Sequence, residues 1–114
     1  MDEAAHRAPV VVELPAEIDV TNSEQVYEQL LAAAAPGVST VVADMMSTVF
    51  CDSSGVHAIM HAYEGAAAHD TRMLLAVSPS TSVRRVLELI GVGRLMPVYP
   101  SLQEALTAST EDGA

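Results

Sequence analysis

The chain has 114 residues, half of them hydrophobic, and fifteen acidic side chains against five basic ones give a net charge of −10. At roughly 150 residues per domain, this length predicts one domain with enough apolar surface for a core that needs neither disulfides nor metal. The negative charge argues against binding to nucleic acid or to an anionic membrane, and it suits either a basic protein partner or solubility alone.

The N-terminal third is predicted to hold one strand and one helix. Residues 1–8 are small or polar and lack periodicity, so we expect them to be flexible. A β-branched run over residues 9–14 predicts a strand, and Glu17–Asp19 forms the end of that strand or a loop. Thr21 and Glu24 have the spacing of a capping box, which predicts the start of a helix that a proline–glycine pair ends.

The middle of the chain pairs a second strand with a second helix. Residues 40–46 are nearly all apolar, which is typical of a parallel strand covered on both faces. After the junction Phe50–Gly55, apolar residues recur at the spacing i, i+3, i+4 and i+7, which predicts a helix to about Ala68. These residues are Val56, Ile59, Met60 and Tyr63.

The C-terminal part repeats the alternation. Residues 72–77 predict a strand, and Ser78–Ser80 is a stop-and-cap signal before a helix that glycines end. Residues 95–99 predict a short strand, which their proline assigns to a sheet edge. A capping box beginning at Ser101 opens a last helix to about residue 108, and residues 109–114 are predicted to be flexible.

Strands and helices therefore alternate from residue 9 to 108, which predicts a single α/β domain. The expected fold has a mixed, mostly parallel sheet of about four to five strands and about four helices. In such sheets function lies at the carboxyl ends of the strands. Three polar segments are predicted to lie there, namely Asp19–Thr21, Asp52–Ser54 and Ser78–Ser80.

The junction at Ser53 has three interpretations from the residues alone. A hydroxyl at a helix N-terminus could accept a phosphate, act as a nucleophile, or leave Asp52 or Ser53 as a simple helix cap. A nucleophile needs a base within hydrogen-bond reach, and His57 is one turn further along the same helix. No glycine-flanked serine elbow is present, so hydrolase chemistry is disfavoured.

Other candidate sites are explained more simply by structure. His57 and His61 share a helix face as metal ligands can, but no third ligand stands at a recognisable spacing, so a polar helix flank is favoured. Cys51 is the single cysteine, which excludes an internal disulfide, and we expect it to be buried. No metal or cofactor is predicted. Because no apolar run reaches the length of a signal or a membrane span, a soluble cytoplasmic protein is expected.

Taken together, these segments resemble the STAS domain family, and within it the anti-sigma factor antagonists. The resemblance covers about residues 10 to 107. The segments that carry it are Glu17–Asp19, Val41–Asp44, Phe50–Gly55, Ser78–Ser80, Val83–Leu89, Gly91, Arg94–Leu95 and Tyr99–Leu106. Two departures stand out, since a small residue is usual where His57 stands, and the family's extra N-terminal strand is expected to be irregular or absent over Asp2–Ala8.

The resemblance implies a partner-switching regulator without catalysis of its own. It implies that the unmodified protein binds an anti-sigma factor that is itself a serine kinase, that phosphorylation of Ser53 blocks this binding, and that a metal-dependent serine phosphatase resets it. The implied partner-binding residues are Asp19, Thr21, Asp52, Ser53, Ser54, Gly55 and His57. The alternative is a non-switching STAS scaffold or a subunit of a lipid-transport or sensory complex. A monomer or a weak dimer is expected.

Overall fold

A computed structural model describes the backbone of residues 8–113 and the side chains of residues 8–110. Over this range each helix is preceded by one or two strands, with a single 3-10 turn at Val92–Arg94. The strands are β1 (Val10–Glu13), β2 (Glu17–Ile18), β3 (Thr40–Asp44), β4 (Phe50–Cys51), β5 (Arg72–Ala76) and β6 (Val98–Tyr99). The helices are α1 (Ser23–Ala33), α2 (Ser53–Ala67), α3 (Ser82–Ile90) and α4 (Leu102–Gly113).

The strands form two sheets, and every described pairing is parallel. The main sheet has the order β1–β3–β5–β6, so that Val41 of β3 lies between Val10 of β1 and Met73 of β5. Within residues 8–113 the second sheet consists of β2 and β4, with Glu17 opposite Phe50 and Ile18 opposite Cys51. The predicted α/β class, the mostly parallel sheet and the four helices are confirmed. The separate two-stranded sheet was not predicted.

Both faces of the main sheet are buried, as the continuous apolar run over residues 40–46 predicts. Successive residues of a strand point to opposite faces, and Val41 and Ala43 belong to a large cluster that includes Val26 and Leu30 of α1 and Ile59 of α2. On the opposite face Val42 and Leu74 pack with residues of α4. Helices α1, α2 and α3 therefore cover one face of the sheet, and α4 covers the other.

The start of α1 differs from the prediction. Instead of capping the helix, the Thr21 hydroxyl and backbone N–H both donate to Oδ1 of Asp19. The helix begins at Ser23 after Asn22, whose side-chain amide donates to the Glu17 carbonyl at 2.8 Å. The capping box predicted from Thr21 and Glu24 is wrong, because an aspartate two residues before Thr21 satisfies its hydroxyl in a local turn.

The C-terminal elements agree with the prediction except at two helix ends and in the last strand. Of the predicted strand residues 95–99, only Val98–Tyr99 form β6, because Leu95 still belongs to the end of the 3-10 turn. Thr81, rather than Ser78–Ser80, caps α3, and Gly91 ends it in the left-handed conformation with φ 88°. Strand β6 lies at the sheet edge, as its preceding proline predicts. The Ser101 cap is confirmed, since its hydroxyl accepts from the Glu104 N–H at 3.1 Å.

Helix α4 continues to Gly113, well beyond the end predicted near residue 108. The hydroxyl of Ser109 donates back to the Leu106 carbonyl at 2.7 Å, and that of Thr110 donates to the Thr107 carbonyl at 2.9 Å. These bonds keep hydroxyl residues inside the helix, and the first glycine after Ser101 is Gly113 itself. The expected irregularity of an N-terminal strand falls on residues 1–7, outside the described residues, and on Ala8, which is in no strand.

Candidate functional site

The second sheet brings two of the three predicted polar segments together. Strands β2 and β4 are parallel neighbours, so Asp19–Thr21 and Asp52–Gly55 leave them at the same edge. The Asp52 N–H donates to the Ile18 carbonyl at 3.2 Å, which fastens the two segments to each other. Ser78–Ser80 follows β5 of the other sheet instead, where the Ser78 and Ser80 hydroxyls lie 3.0 Å apart.

Asp52 caps helix α2. Its backbone is extended, with φ −94° and ψ −173°, and its Oδ1 accepts from the Ser54 hydroxyl at 2.6 Å and from the Gly55 N–H at 3.1 Å. Both bonds favour the charged carboxylate, so they lower the pKa of Asp52 below its ordinary value of 3.8, with the Ser54 hydroxyl as the larger cause. Of the two caps left open by the sequence, the structure therefore has Asp52 and not Ser53.

The two serines of the junction have different environments. Ser54 is half-buried, and its hydroxyl is engaged by Asp52. Ser53 is the first residue of α2 and is exposed, and within the described part of the chain its hydroxyl has no hydrogen-bond partner. Because no base contacts Ser53 among these residues, the arrangement of an activated nucleophile is not formed.

Gly55 lets the first turn of α2 lie directly on the second sheet. A Cβ atom at this position would stand 2.7 Å from Sγ of Cys51 and 2.7 Å from Cγ2 of Ile18. Both neighbours are buried, which confirms the prediction for Cys51. Burial and then the adjacent Asp52 carboxylate raise the pKa of Cys51 to about 11, so its thiol is protonated at neutral pH. Gly55 thus contributes close packing beneath Ser53.

The Asp19–Thr21 turn forms the other half of this edge. Oδ1 of Asp19 accepts from the Thr21 N–H at 2.9 Å, and Oδ1 of Asn22 accepts from the Asp19 N–H at 3.0 Å. Thr21 is exposed, and Asp19 is half-buried. Sequence reasoning missed Asn22, although an asparagine three residues after an aspartate is a turn signal that could have indicated it.

Three exposed apolar side chains next to the second sheet were also missed, one after β2 and two at the start of β4. Val20 is 74% exposed, Val49 63% and Phe50 49%. Val49 and Phe50 are held in place by backbone bonds from their N–H groups to the Ala16 carbonyl, at 2.7 and 3.2 Å. Exposed apolar side chains beside polar ones are typical of protein interfaces.

His57 and His61 lie on a groove between α1 and α2. The groove has a volume of about 700 Å³ and is lined by Ser23, Glu24, Tyr27, Ser54, His57, Ala58, His61, Glu64 and Gly65. Both histidines are exposed, as the predicted polar flank requires. In the described residues there is no group of three or more side chains that could hold a metal ion, and no helix is long and apolar enough to cross a membrane.

Comparison with known proteins gives a consistent family. The family model of the STAS domain matches residues 2–105. An anti-sigma factor antagonist from Mycobacterium paratuberculosis is 27% identical, with 90% of this chain and 86% of that one covered and a TM-score of 0.73. A search of curated protein sequences found no match.

Three further structures are similar to this chain. SpoIIAA is 28% identical in its unphosphorylated form, over 92% of this chain and 90% of that one, with a TM-score of 0.73. Its phosphorylated form from Bacillus is 29% identical over 90% and 92%, with a TM-score of 0.64. A sulfate transporter family protein from Wolinella succinogenes, 19% identical over 92% and 86% with a TM-score of 0.67, shares the fold. With a family match over residues 2–105 and the same fold in these proteins, the chain belongs to the STAS domain family.

Proposed function

We propose that this protein is an anti-sigma factor antagonist that switches partners through phosphorylation of Ser53. The unmodified protein binds an anti-sigma factor serine kinase and so releases a sigma factor. The similarity to the Mycobacterium paratuberculosis antagonist and to SpoIIAA, which has been solved with and without phosphate, supports this function. The protein has no catalytic step of its own, and it acts in the cytoplasm, where a sigma factor works.

The observation that carries the proposal is the difference between the two serines. Asp52 engages the Ser54 hydroxyl and the Gly55 N–H, and Ser53 is left exposed at the start of α2. A kinase needs an accessible hydroxyl, and Ser53 meets this requirement. The bound state uses the same edge, where Asp19 and Thr21 follow the neighbouring strand β2. The exposed side chains of Val20 and Phe50, on the same two strands' segments, provide apolar contact area.

Phosphorylation changes the charge of this edge. The γ-phosphoryl group of ATP is transferred to the Ser53 oxygen, which forms a new O–P bond as the bond to ADP breaks, and the hydroxyl proton passes to the kinase. The phosphate adds about −1.5 to −2 charges next to Asp52. Without phosphate, the surface meets its partner with a neutral hydroxyl at Ser53. With phosphate, it presents a larger group whose charge has the same sign as the facing partner surface, and both changes block binding. A metal-dependent phosphatase hydrolyses the ester and releases inorganic phosphate.

The test is intact-mass analysis after incubation with ATP and each histidine-kinase-like anti-sigma factor of the source genome. Wild type and Ser54→Ala are expected to gain one phosphate, and Ser53→Ala none. Ser54→Ala is the matched control because it removes the neighbouring hydroxyl and leaves Ser53 in place. Equal phosphorylation of Ser53→Ala would contradict the proposal. Absence of phosphorylation by any kinase, together with stable copurification in a membrane complex, would support the alternative of a non-switching STAS scaffold.

A further inference from the structure

His57 stands one helical turn after Ser53 on α2. The two residues are four apart on α2, a spacing that puts side chains on one face of a helix, with Cβ atoms about 6 Å apart. Side chains of a helix lean toward its N-terminus, so the imidazole of His57 leans toward Ser53. Both residues are exposed, and within the described residues the His57 ring makes no hydrogen bond.

The surroundings of this pair are otherwise acidic. Across the groove, α1 contributes Glu24 and Tyr27, and further along α2 stands Glu64. Asp52 adjoins the phosphorylated residue itself. Among the groove-lining residues only the two imidazoles can become cations, and His61 is two turns from Ser53, at about 12 Å along the helix axis.

We propose that His57 is the cationic partner of the phosphate on Ser53. The imidazolium donates to a phosphate oxygen and holds the group along the flank of α2, where it offsets the repulsion from the adjacent Asp52. This inference rests on the proposed function, since it assumes that Ser53 carries the phosphate. His57 would thus bind the phosphate in the phosphorylated protein, in addition to its predicted place on the partner-binding surface.

The test installs phosphoserine at position 53 during translation, by nonsense suppression in the full-length chain, so that no kinase is needed. The second ionisation of the phosphate is then followed by phosphorus NMR between about pH 4.5 and 8, around the ordinary midpoint near 6. In wild type the imidazolium favours the dianion, so the midpoint is expected about 0.3 units below that of His57→Ala, a twofold change in proton affinity. His61→Ala is the matched control and is expected to keep the wild-type midpoint.

A charge-retaining variant separates pairing from a structural effect. His57→Arg is expected to keep the midpoint of the phosphate as low as in wild type, because guanidinium remains charged throughout the pH range. Midpoints of wild type and His57→Ala within about 0.1 unit of each other, or an equal change in His61→Ala, would overturn the proposal. If His57→Ala does not fold, as judged by circular dichroism, His57→Gln takes its place. Since the phosphate is installed directly, this result is independent of whether a kinase modifies Ser53, which the mass analysis decides.

Discussion

Replacing Gly55 with alanine should destabilise the protein, although alanine is the better helix former. The new Cβ would lie 2.7 Å from both Cys51 Sγ and Ile18 Cγ2 and 3.2 Å from Ile18 Cβ. Cys51 is 3% exposed and Ile18 is fully buried, so neither can move aside freely. Overpacking of this kind costs about 1–3 kcal/mol, against a gain in helix propensity of at most about 1 kcal/mol. Because the new atom meets two buried side chains at 2.7 Å, the cost should lie in the upper half of this range, which leaves a net loss of about 1–2 kcal/mol in the free energy of unfolding.

Gly65 offers a matched control in the same helix. A Cβ atom there would come within 2.7 Å of a single atom, Cδ1 of Leu31, at the end of a half-buried side chain that can rotate. The propensity gain of about 0.5–1 kcal/mol should therefore prevail, or at least offset the contact. Gly65→Ala is expected to be as stable as wild type or more stable.

Urea unfolding followed by circular dichroism measures both variants, and an unchanged m-value shows that only stability has changed. The double variant Cys51→Ala/Gly55→Ala removes one of the two short contacts and should show a favourable coupling of about 0.5–1.5 kcal/mol relative to the single variants. Gly55→Ala within about 0.3 kcal/mol of wild type, or a larger loss in Gly65→Ala, would refute the packing argument.

Three further predictions concern single side chains. Cys51, with its pKa raised to about 11, should resist iodoacetamide at about pH 8 when folded and react fully when unfolded; rapid native labelling would contradict its burial. The pKa of Asp52 is lowered in the folded state, so wild type should be more stable than Asp52→Asn above pH 3.8. This advantage should disappear as the pH falls through the pKa of Asp52 in the folded protein, and an advantage that persists in strong acid would be inconsistent with the lowered pKa. Ser101→Ala removes the cap on the Glu104 N–H and should cost about 1 kcal/mol in the free energy of unfolding by urea. Ser80→Ala should cost less, because the Ser80 hydroxyl bonds Ser78 alone among the described residues; equal losses would count against the cap.

The elements that the sequence predicted well are those whose burial is complete. Strands β3 and β5 lie between helices on both faces, so their apolar runs are continuous and their ends fall within two residues of the prediction. The stripe of α2 was recognised because Val56 and Ile59 face the core at helical spacing. Strands β2 and β4 have two residues each, which is too short for any periodicity. They are ordered by pairing with each other and by the burial of Ile18 and Cys51 in the core, and both depend on the tertiary structure.

At the site, the sequence could predict which segments lie together but not which hydroxyl groups are hydrogen-bonded. Asp19 and Asp52 come together because each follows a strand of one parallel pair, which the carboxyl-end rule anticipates. The hydrogen bonds in the first turn of α2 then depend on which groups donate to the Asp52 carboxylate. A capping carboxylate bonds the N–H of the second or third helical residue, and here the same Oδ1 also takes the hydroxyl of Ser54.

This competition explains why Ser53 is the available serine. Capping requires Asp52 to point along the helix entrance toward residues 54 and 55, and the hydroxyl at position 53 then lies outside its reach. Removing the carboxylate would free the Ser54 hydroxyl as well, so the choice between two adjacent serines depends on the residue before them. In a kinase assay, Asp52→Asn should therefore reduce the preference for Ser53 over Ser54 in peptide mapping, because an amide oxygen is a weaker acceptor than a carboxylate. Unchanged selectivity would mean that the kinase, and not the cap, chooses the serine.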